Sequence, residues 1–176
     1  MEQHTELIHK AQAGDKHAFG LLYKEYYQRI YRYCRINVYK HAIAEDICQE
    51  TFLRAWKALP KFAVTAEGTF QAFLFRIARN VIIDASRKKK EVPLGEHEDI
   101  EIEEDHAAEI DKAMSIEHVR KALATLFEKD RQILILRYFE DMSHAEVATI
   151  IGIREGALRV RTIRLLHKLK ELLKKS

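Results

Sequence analysis

The stretch AEDICQETFLRAWKAL, residues 44–59, decides the fold class, because its apolar side chains recur every three or four positions. At 3.6 residues per turn, this spacing predicts an amphipathic helix over about 43–59 that ends at Pro60. The predicted buried face consists of Ala44, Ile47, Cys48, Thr51, Phe52, Ala55 and Leu59. The opposite face is polar and largely acidic, except that Leu53 lies in its middle.

Helical periodicity also dominates the rest of the chain, apart from one acidic segment. We predict further helices over about 7–13, 17–38, 69–90, 115–127, 130–140, 143–150 and 154–173. Thr69 would cap the helix that it precedes, and Ser143 with Glu146 would form a capping box. Only six Gly and two Pro occur among 176 residues, too few for a strand-and-turn protein. The expected fold class is therefore all-α.

Charge divides the chain into three parts. Residues 1–90 carry a net charge of +7, residues 91–112 carry −9 and residues 113–176 carry +5. We expect two small helical domains that meet a polyanion, joined by an acidic flexible linker that does not. His and acidic side chains cluster in the linker, but charge repulsion in a solvated tether explains them more simply than a metal site. We predict no metal and no cofactor.

The sequence also predicts the cellular compartment of the protein. No apolar run approaches the roughly 18–20 residues of a membrane helix, and the polar N-terminus lacks the apolar core of a signal peptide. Cys34 and Cys48 form no metal-ligand pair and no plausible disulfide framework, so we expect two buried free thiols. These observations predict a cytoplasmic protein without membrane insertion.

Three of the predicted helices carry side chains on the wrong face for simple amphipathic packing. In the helix over 43–59, Leu53 lies within a polar rim and Trp56 lies at its border. The rim residues are Asp46, Gln49 and Glu50. An apolar centre inside such a rim is typical of a protein-docking surface, while a single stray exposed leucine explains it equally well.

The helix over 69–90 carries a second stripe beside its apolar core stripe. This second stripe consists of Phe73, Arg76, Asn80, Ile83, Asp84 and Arg87. The basic run over 87–90, which includes Lys88, ends the helix. Aromatic, amide and guanidinium groups stack on unpaired bases and bind base edges and phosphates, so we predict a nucleic-acid surface. A solvated charged face is the alternative.

The last predicted helix follows a capped helix and a short turn at Gly152, which is the order of a helix-turn-helix motif. Its predicted core side consists of Leu158, Leu165, Leu169 and Leu172. Its outward side consists of Arg159, Val160, Ile163, Arg164 and His167. Arginines among small apolar groups suit the DNA major groove, whereas a surface helix of a bundle is the alternative. Arg161 falls nearer the core, and we expect it to reach a phosphate beside the groove.

These residues carry a resemblance to a known family. The runs AEDICQETFLRAW (44–56), TFQAFLFRIARN (69–80) and DASRK (84–88) resemble the first domain of extracytoplasmic-function sigma factors, which belong to the sigma-70 family. The runs RQILILRY (131–138), SHAEVA (143–148) and GALRVR (156–161) resemble the C-terminal domain of these proteins. The resemblance covers nearly the whole chain apart from the linker.

The resemblance implies a dissociable subunit of RNA polymerase and not an enzyme by itself. It implies that the first domain docks on core RNA polymerase and opens the minus-ten promoter element, and that the second reads the minus-thirty-five element. Core docking would use Asp46, Gln49, Glu50, Leu53 and Trp56. DNA binding would use Phe73, Arg76, Asn80, Asp84, Arg87, Lys88, Arg159, Arg161 and Arg164. The loop over 61–68 would help to hold a flipped base, and an anti-sigma factor is an expected partner.

The sequence departs from the family pattern at two places. Phe73 stands where Trp is common, and GALRVR (156–161) stands where GTVKSR is common, which removes hydroxyl groups that would contact phosphates. An ordinary helix-turn-helix regulator is the main alternative, but it leaves Leu53 and the stripe over 73–87 without a role. A small helical enzyme is less favoured, because the chain has no HExxH arrangement and no Gly-rich phosphate loop. An interaction protein such as a polymerase-docking inhibitor is a third alternative.

Overall fold

The computed structural model describes residues 2–38, 40–63, 69–90 and 121–174. The chain forms two compact units, Met1–Gly95 and Glu96–Ser176. Every regular element within the described ranges is helical, which confirms the all-α prediction. The predicted acidic linker over 91–112 lies outside the described residues. No helix in the described part of the chain is long and apolar enough to cross a membrane.

In its described residues, the first unit contains four α-helices and one short 3-10 helix. The α-helices are α1 (Glu2–Gln12), α2 (Lys16–Asn37), α3 (His41–Ala58) and α4 (Phe70–Lys90), and the 3-10 helix is Leu59–Lys61. The carboxylate of Asp15 caps α2 by accepting hydrogen bonds from the backbone N–H groups of His17 and Ala18, at 2.8 and 3.1 Å. Thr69 caps α4 as predicted, since its hydroxyl accepts from the Ala72 N–H at 3.1 Å. The α-helix α3 ends at Ala58, close to its predicted end, and Pro60 lies within the 3-10 helix that follows.

The core of the first unit lies between α2, α3 and α4, and α1 packs on α2. All seven residues of the predicted buried face of α3 are buried. Thr51 is tolerated there because its hydroxyl donates to the Ile47 carbonyl at 2.7 Å. Cys34 and Cys48 are buried free thiols, as predicted. Burial raises the pKa of both thiols, that of Cys48 to about 12.

The second unit begins, in its described part, with a helical segment over 121–124. It continues through α5 (Glu128–Leu134), a π-helix (Ile135–Phe139), α6 (His144–Ile151) and α7 (Glu155–Lys174). The capping box at Ser143 and Glu146 is present, with both reciprocal hydrogen bonds. Gly152 ends α6 with φ 76°, a left-handed conformation that favours glycine. The predicted helix-turn-helix is therefore α6, the turn at Gly152 and α7.

Candidate docking and DNA-binding surfaces

The outward face of α3 presents an exposed leucine among polar side chains. Leu53 is 49% exposed, and Asp46 and Gln49 beside it are also exposed. Glu50 is half-buried, and its carboxylate accepts from Arg54 at 2.7 Å. The backbone of α3 thus brings these four predicted docking residues onto one solvent-facing surface, which we call the α3 face: Asp46, Gln49, Glu50 and Leu53.

Trp56 lies at the edge of the α3 face and is half-buried. Its ring packs on Phe19 of α2, with ring centroids 4.9 Å apart and planes tilted by 56°. Trp56 therefore holds α3 against α2, and only part of its surface remains available to a partner.

Arg54 links the α3 face to α4, a connection that the sequence analysis missed. Its guanidinium donates to Glu50 at 2.7 Å and to Asp84 at 2.9 Å. Hydrogen bonds to Asp84 and Glu50 raise the pKa of Arg54, so the group stays charged. The i, i+4 spacing from Glu50 predicts the first contact, but the second joins residues 30 positions apart and has no local signal. One end of the predicted DNA surface is thereby tied to the predicted docking surface.

The outer surface of α4 agrees only in part with the predicted stripe. Arg76, Asn80 and Arg87 are exposed, and Asp84 is half-buried beside Arg54. These four residues recur at helical spacing on one side of the helix, which we call the α4 face. It presents one amide, two exposed guanidinium groups and the carboxylate of Asp84, which is paired with Arg54. The side chain of Lys88 lies outside the described residues.

Phe73 does not lie on this exposed face, so its predicted placement is wrong. It is only 8% exposed, because the chain leaving the 3-10 helix lays Phe62 over it. The Phe62 and Phe73 ring centroids are 4.6 Å apart, and Phe70 closes the cluster at 5.9 Å from Phe73. Phe62 is itself half-buried, so Phe62 and not Phe73 is the more exposed aromatic ring of this pair. Residues 64–68 of the predicted base-holding loop lie outside the described residues.

The outer surface of α7 agrees with the predicted separation of faces. Of the four leucines predicted for its core side, Leu158 and Leu165 are buried, whereas Leu169 and Leu172 are half-buried. The exposed side, which we call the α7 face, consists of Arg159, Val160, Ile163, Arg164 and His167. The guanidinium of Arg159 donates to Glu155 one turn earlier, at 2.6 and 3.1 Å. The surface combines cationic and aliphatic groups, the mixture that reads guanine edges and thymine methyl groups.

Arg161, which was predicted to reach a phosphate, pairs with an acidic side chain of its own unit. Its Nε donates to Asp130 Oδ1 at 2.6 Å, and the Asp130 side chain is only 13% exposed. Asp130 belongs to α5, 31 residues earlier in the chain, so no local pattern indicates this pair. Arg161 instead fixes α7 against α5 and so orients the α7 face.

Within the described ranges, no group of three or more His, Cys, Asp or Glu side chains is placed to hold a metal ion. The acidic and His-containing cluster of the predicted linker lies outside those ranges.

Comparison with known families matches both units. The model of sigma-70 region 2 matches residues 22–92, and the model of sigma-70 region 4 matches residues 116–169. The first match contains the α3 and α4 faces, and the second contains the α7 face.

Whole-chain comparisons find proteins that are similar along most of this chain. The ECF RNA polymerase sigma factor BldN of Streptomyces coelicolor is 36% identical over 172 residues, which cover 96% of this chain; the chain spans 65% of the length of BldN. The RNA polymerase sigma-H factor of Pseudomonas aeruginosa is 30% identical, with 93% of this chain and 90% of that protein covered. The solved structure of the sigma factor RpoE in complex with the anti-sigma factor NepR from Bartonella quintana is similar with a TM-score of 0.72 and 26% identity. That match covers 89% of this chain and 96% of RpoE.

Proposed function

This chain belongs to the extracytoplasmic-function group of the sigma-70 family, and we propose that it directs core RNA polymerase to promoters and opens the DNA there. One observation carries the proposal. Each matched region exposes a surface whose side chains suit the binding role proposed for that region. In region 2 an apolar centre on α3 adjoins the polar and cationic α4 face, and in region 4 the α7 face ends a helix-turn-helix. An ordinary helix-turn-helix regulator would account for region 4 alone.

The α3 face is the proposed contact with core RNA polymerase. Leu53 supplies the apolar centre, and Asp46, Gln49 and Glu50 supply a rim that would meet basic or hydrogen-bonding groups of the partner. Central apolar residues usually dominate the affinity of such surfaces. Trp56 contributes from the border, where its packing on Phe19 also keeps α3 in place.

The α4 face is the proposed site of minus-ten recognition and opening. Arg76 and Arg87 would bind phosphates of the non-template strand, and Asn80 would bind the edge of an unpaired base. Asp84 would act through its ion pair with Arg54, which lowers the repulsion between its carboxylate and DNA. Phe73 keeps a supporting role, because its buried ring holds Phe62 at the end of this face.

The α7 face is the proposed reader of the minus-thirty-five element. Arg159 and Arg164 would contact bases in the major groove, with Val160 and Ile163 against thymine methyl groups. Arg159 would exchange its Glu155 partner for a base edge, whereas Arg161 keeps Asp130 and holds the helix in position.

The remaining parts of the proposal follow from the role. The chain would have no catalytic activity of its own, would need no cofactor and would work in the cytoplasm, where core RNA polymerase and chromosomal DNA are found. The acidic linker over 91–112 would pass through the positively charged interior of the polymerase. An anti-sigma factor is a proposed partner, since the similar RpoE structure was solved with the anti-sigma factor NepR.

Run-off transcription tests the proposal directly. Bacterial core RNA polymerase with and without this chain is given a randomised duplex library, and transcribed sequences are recovered. We expect two sequence elements, near minus thirty-five and minus ten, to be enriched only with the chain. A chain that binds duplex DNA but neither binds core nor changes the recovered transcripts would support an ordinary regulator instead.

A further inference from the structure

The side chain of Gln12, at the end of α1, reaches a segment 47 residues away. Its Nε2 donates to the Phe62 carbonyl at 2.5 Å and to the Leu59 carbonyl at 3.3 Å. Its Oε1 lies 3.1 Å from Nδ1 of His9 on the same helix. Both N–H groups of the amide and its oxygen therefore have partners.

The segment that Gln12 holds is fixed a second time through its aromatic ring. The Phe62 ring lies 4.6 Å from the Phe73 ring and 6.1 Å from the Phe70 ring, measured between centroids. The Phe62 N–H also donates to the Leu59 carbonyl at 3.0 Å. Gln12 thus holds the backbone of Phe62 while α4 holds its ring.

The position of Phe62 relates this anchor to the proposed DNA site. Phe73, which Phe62 covers, lies one helical turn before Arg76 and two turns before Asn80. Phe62 is half-buried and packs on Phe73, which places it at the end of α4 where the α4 face begins. A shift of the backbone at Phe62 would therefore move an aromatic edge next to the residues proposed to bind the unpaired strand.

We propose that Gln12 is a positioning residue for promoter opening, which acts by fixing Phe62 at the end of the α4 face. This inference rests on the proposed function. It adds α1 to the promoter-opening apparatus, although α1 precedes residue 22, where the match to sigma-70 region 2 begins.

The chemistry of the contact requires an amide. Two carbonyl oxygens face Nε2, and only a donor satisfies both. Gln12→Met keeps the chain length and removes the donors, whereas Gln12→Glu keeps an oxygen toward His9 and turns a carboxylate oxygen toward two carbonyls. The exposed Gln28 of α2 provides a matched control, because Gln28→Met makes the same chemical change away from this contact.

The anchor is tested in the free full-length chain by amide hydrogen exchange. We expect both Gln12 variants to raise the exchange rate at the Phe62 amide about tenfold, the equivalent of about 1.4 kcal/mol. Gln28→Met should leave that rate at the wild-type value. Thermal unfolding of all variants shows whether the change is local, and an unchanged Phe62 rate in both Gln12 variants overturns the inference.

The role is tested with the full-length chain bound to core RNA polymerase on a duplex promoter that the wild type selects from a randomised library. We expect Gln12→Met and Gln12→Glu to slow the appearance of permanganate-reactive thymines about tenfold, with core affinity equal to that of wild type and of Gln28→Met. Faster Phe62 exchange with wild-type opening would overturn the positioning role and leave the proposed function intact. If wild-type holoenzyme opens no promoter, the proposed function itself is wrong and the inference falls with it.

Discussion

Replacement of Leu53 tests the docking surface most sharply, because its side chain is 49% exposed and supports little of the fold. Complete burial of a leucine is worth about 1.5–3 kcal/mol, so burial of the exposed half on docking would contribute about 0.75–1.5 kcal/mol. Leu53→Ala should therefore weaken core binding by a factor of about 3 to 12. Leu53→Asp also places a carboxylate in a desolvated centre beside Asp46 and Glu50, and we expect a loss of about thirtyfold or more, or about 2 kcal/mol.

Competition for core RNA polymerase measures this effect, with labelled wild-type chain as the probe and each variant as the competitor. Leu21→Asp is the matched control, since Leu21 is an exposed leucine of α2 in the same unit, at 41% exposure. It should compete like wild type, and all three variants should keep the helical signal and unfolding temperature of wild type. Equal competition by Leu53→Asp and wild type would refute the docking assignment, as would an equal loss with Leu21→Asp.

The other predictions concern the two DNA surfaces. Asn80→Ala should slow open-complex formation more than closed-complex binding, because one base-edge contact is lost. Unchanged permanganate reactivity of the minus-ten thymines would show that Asn80 does not have this role. Arg159→Ala and Arg164→Ala should each weaken the free energy of DNA binding by about 1–3 kcal/mol and change the preferred minus-thirty-five sequence. Selection from a randomised duplex library with the full-length chain measures both effects. Equal losses on all sequences would mean that the helix contacts only phosphates. Arg161→Ala should destabilise the second unit by about 1–2 kcal/mol in urea unfolding, between the values for surface and buried ion pairs. The preferred DNA sequence should be retained. Stability equal to that of wild type would contradict the role of the pair with Asp130.

Much of the fold could be predicted because its signals are local. The spacing of Cys48 and Thr51 predicts their burial, since a 3.6-residue period places them on the same side as neighbouring apolar groups. The capping box at Ser143 and the turn at Gly152 depend on residues within one helical turn. The same local rule predicts the exposure of Leu53 and of Ile163, because each lies opposite the apolar side of its own helix.

The sequence by itself therefore determined most of the helices in the described part of the chain, the inward and outward sides of most of them, the family and the faces proposed to bind polymerase and DNA. The tertiary structure decided which side chains on those faces remain available. Phe62 covers Phe73, Asp130 engages Arg161 and Gln12 holds the turn at Phe62. The physical reason is that helical periodicity places a residue around the axis of its own helix, whereas partners from another segment are set by how the helices pack together.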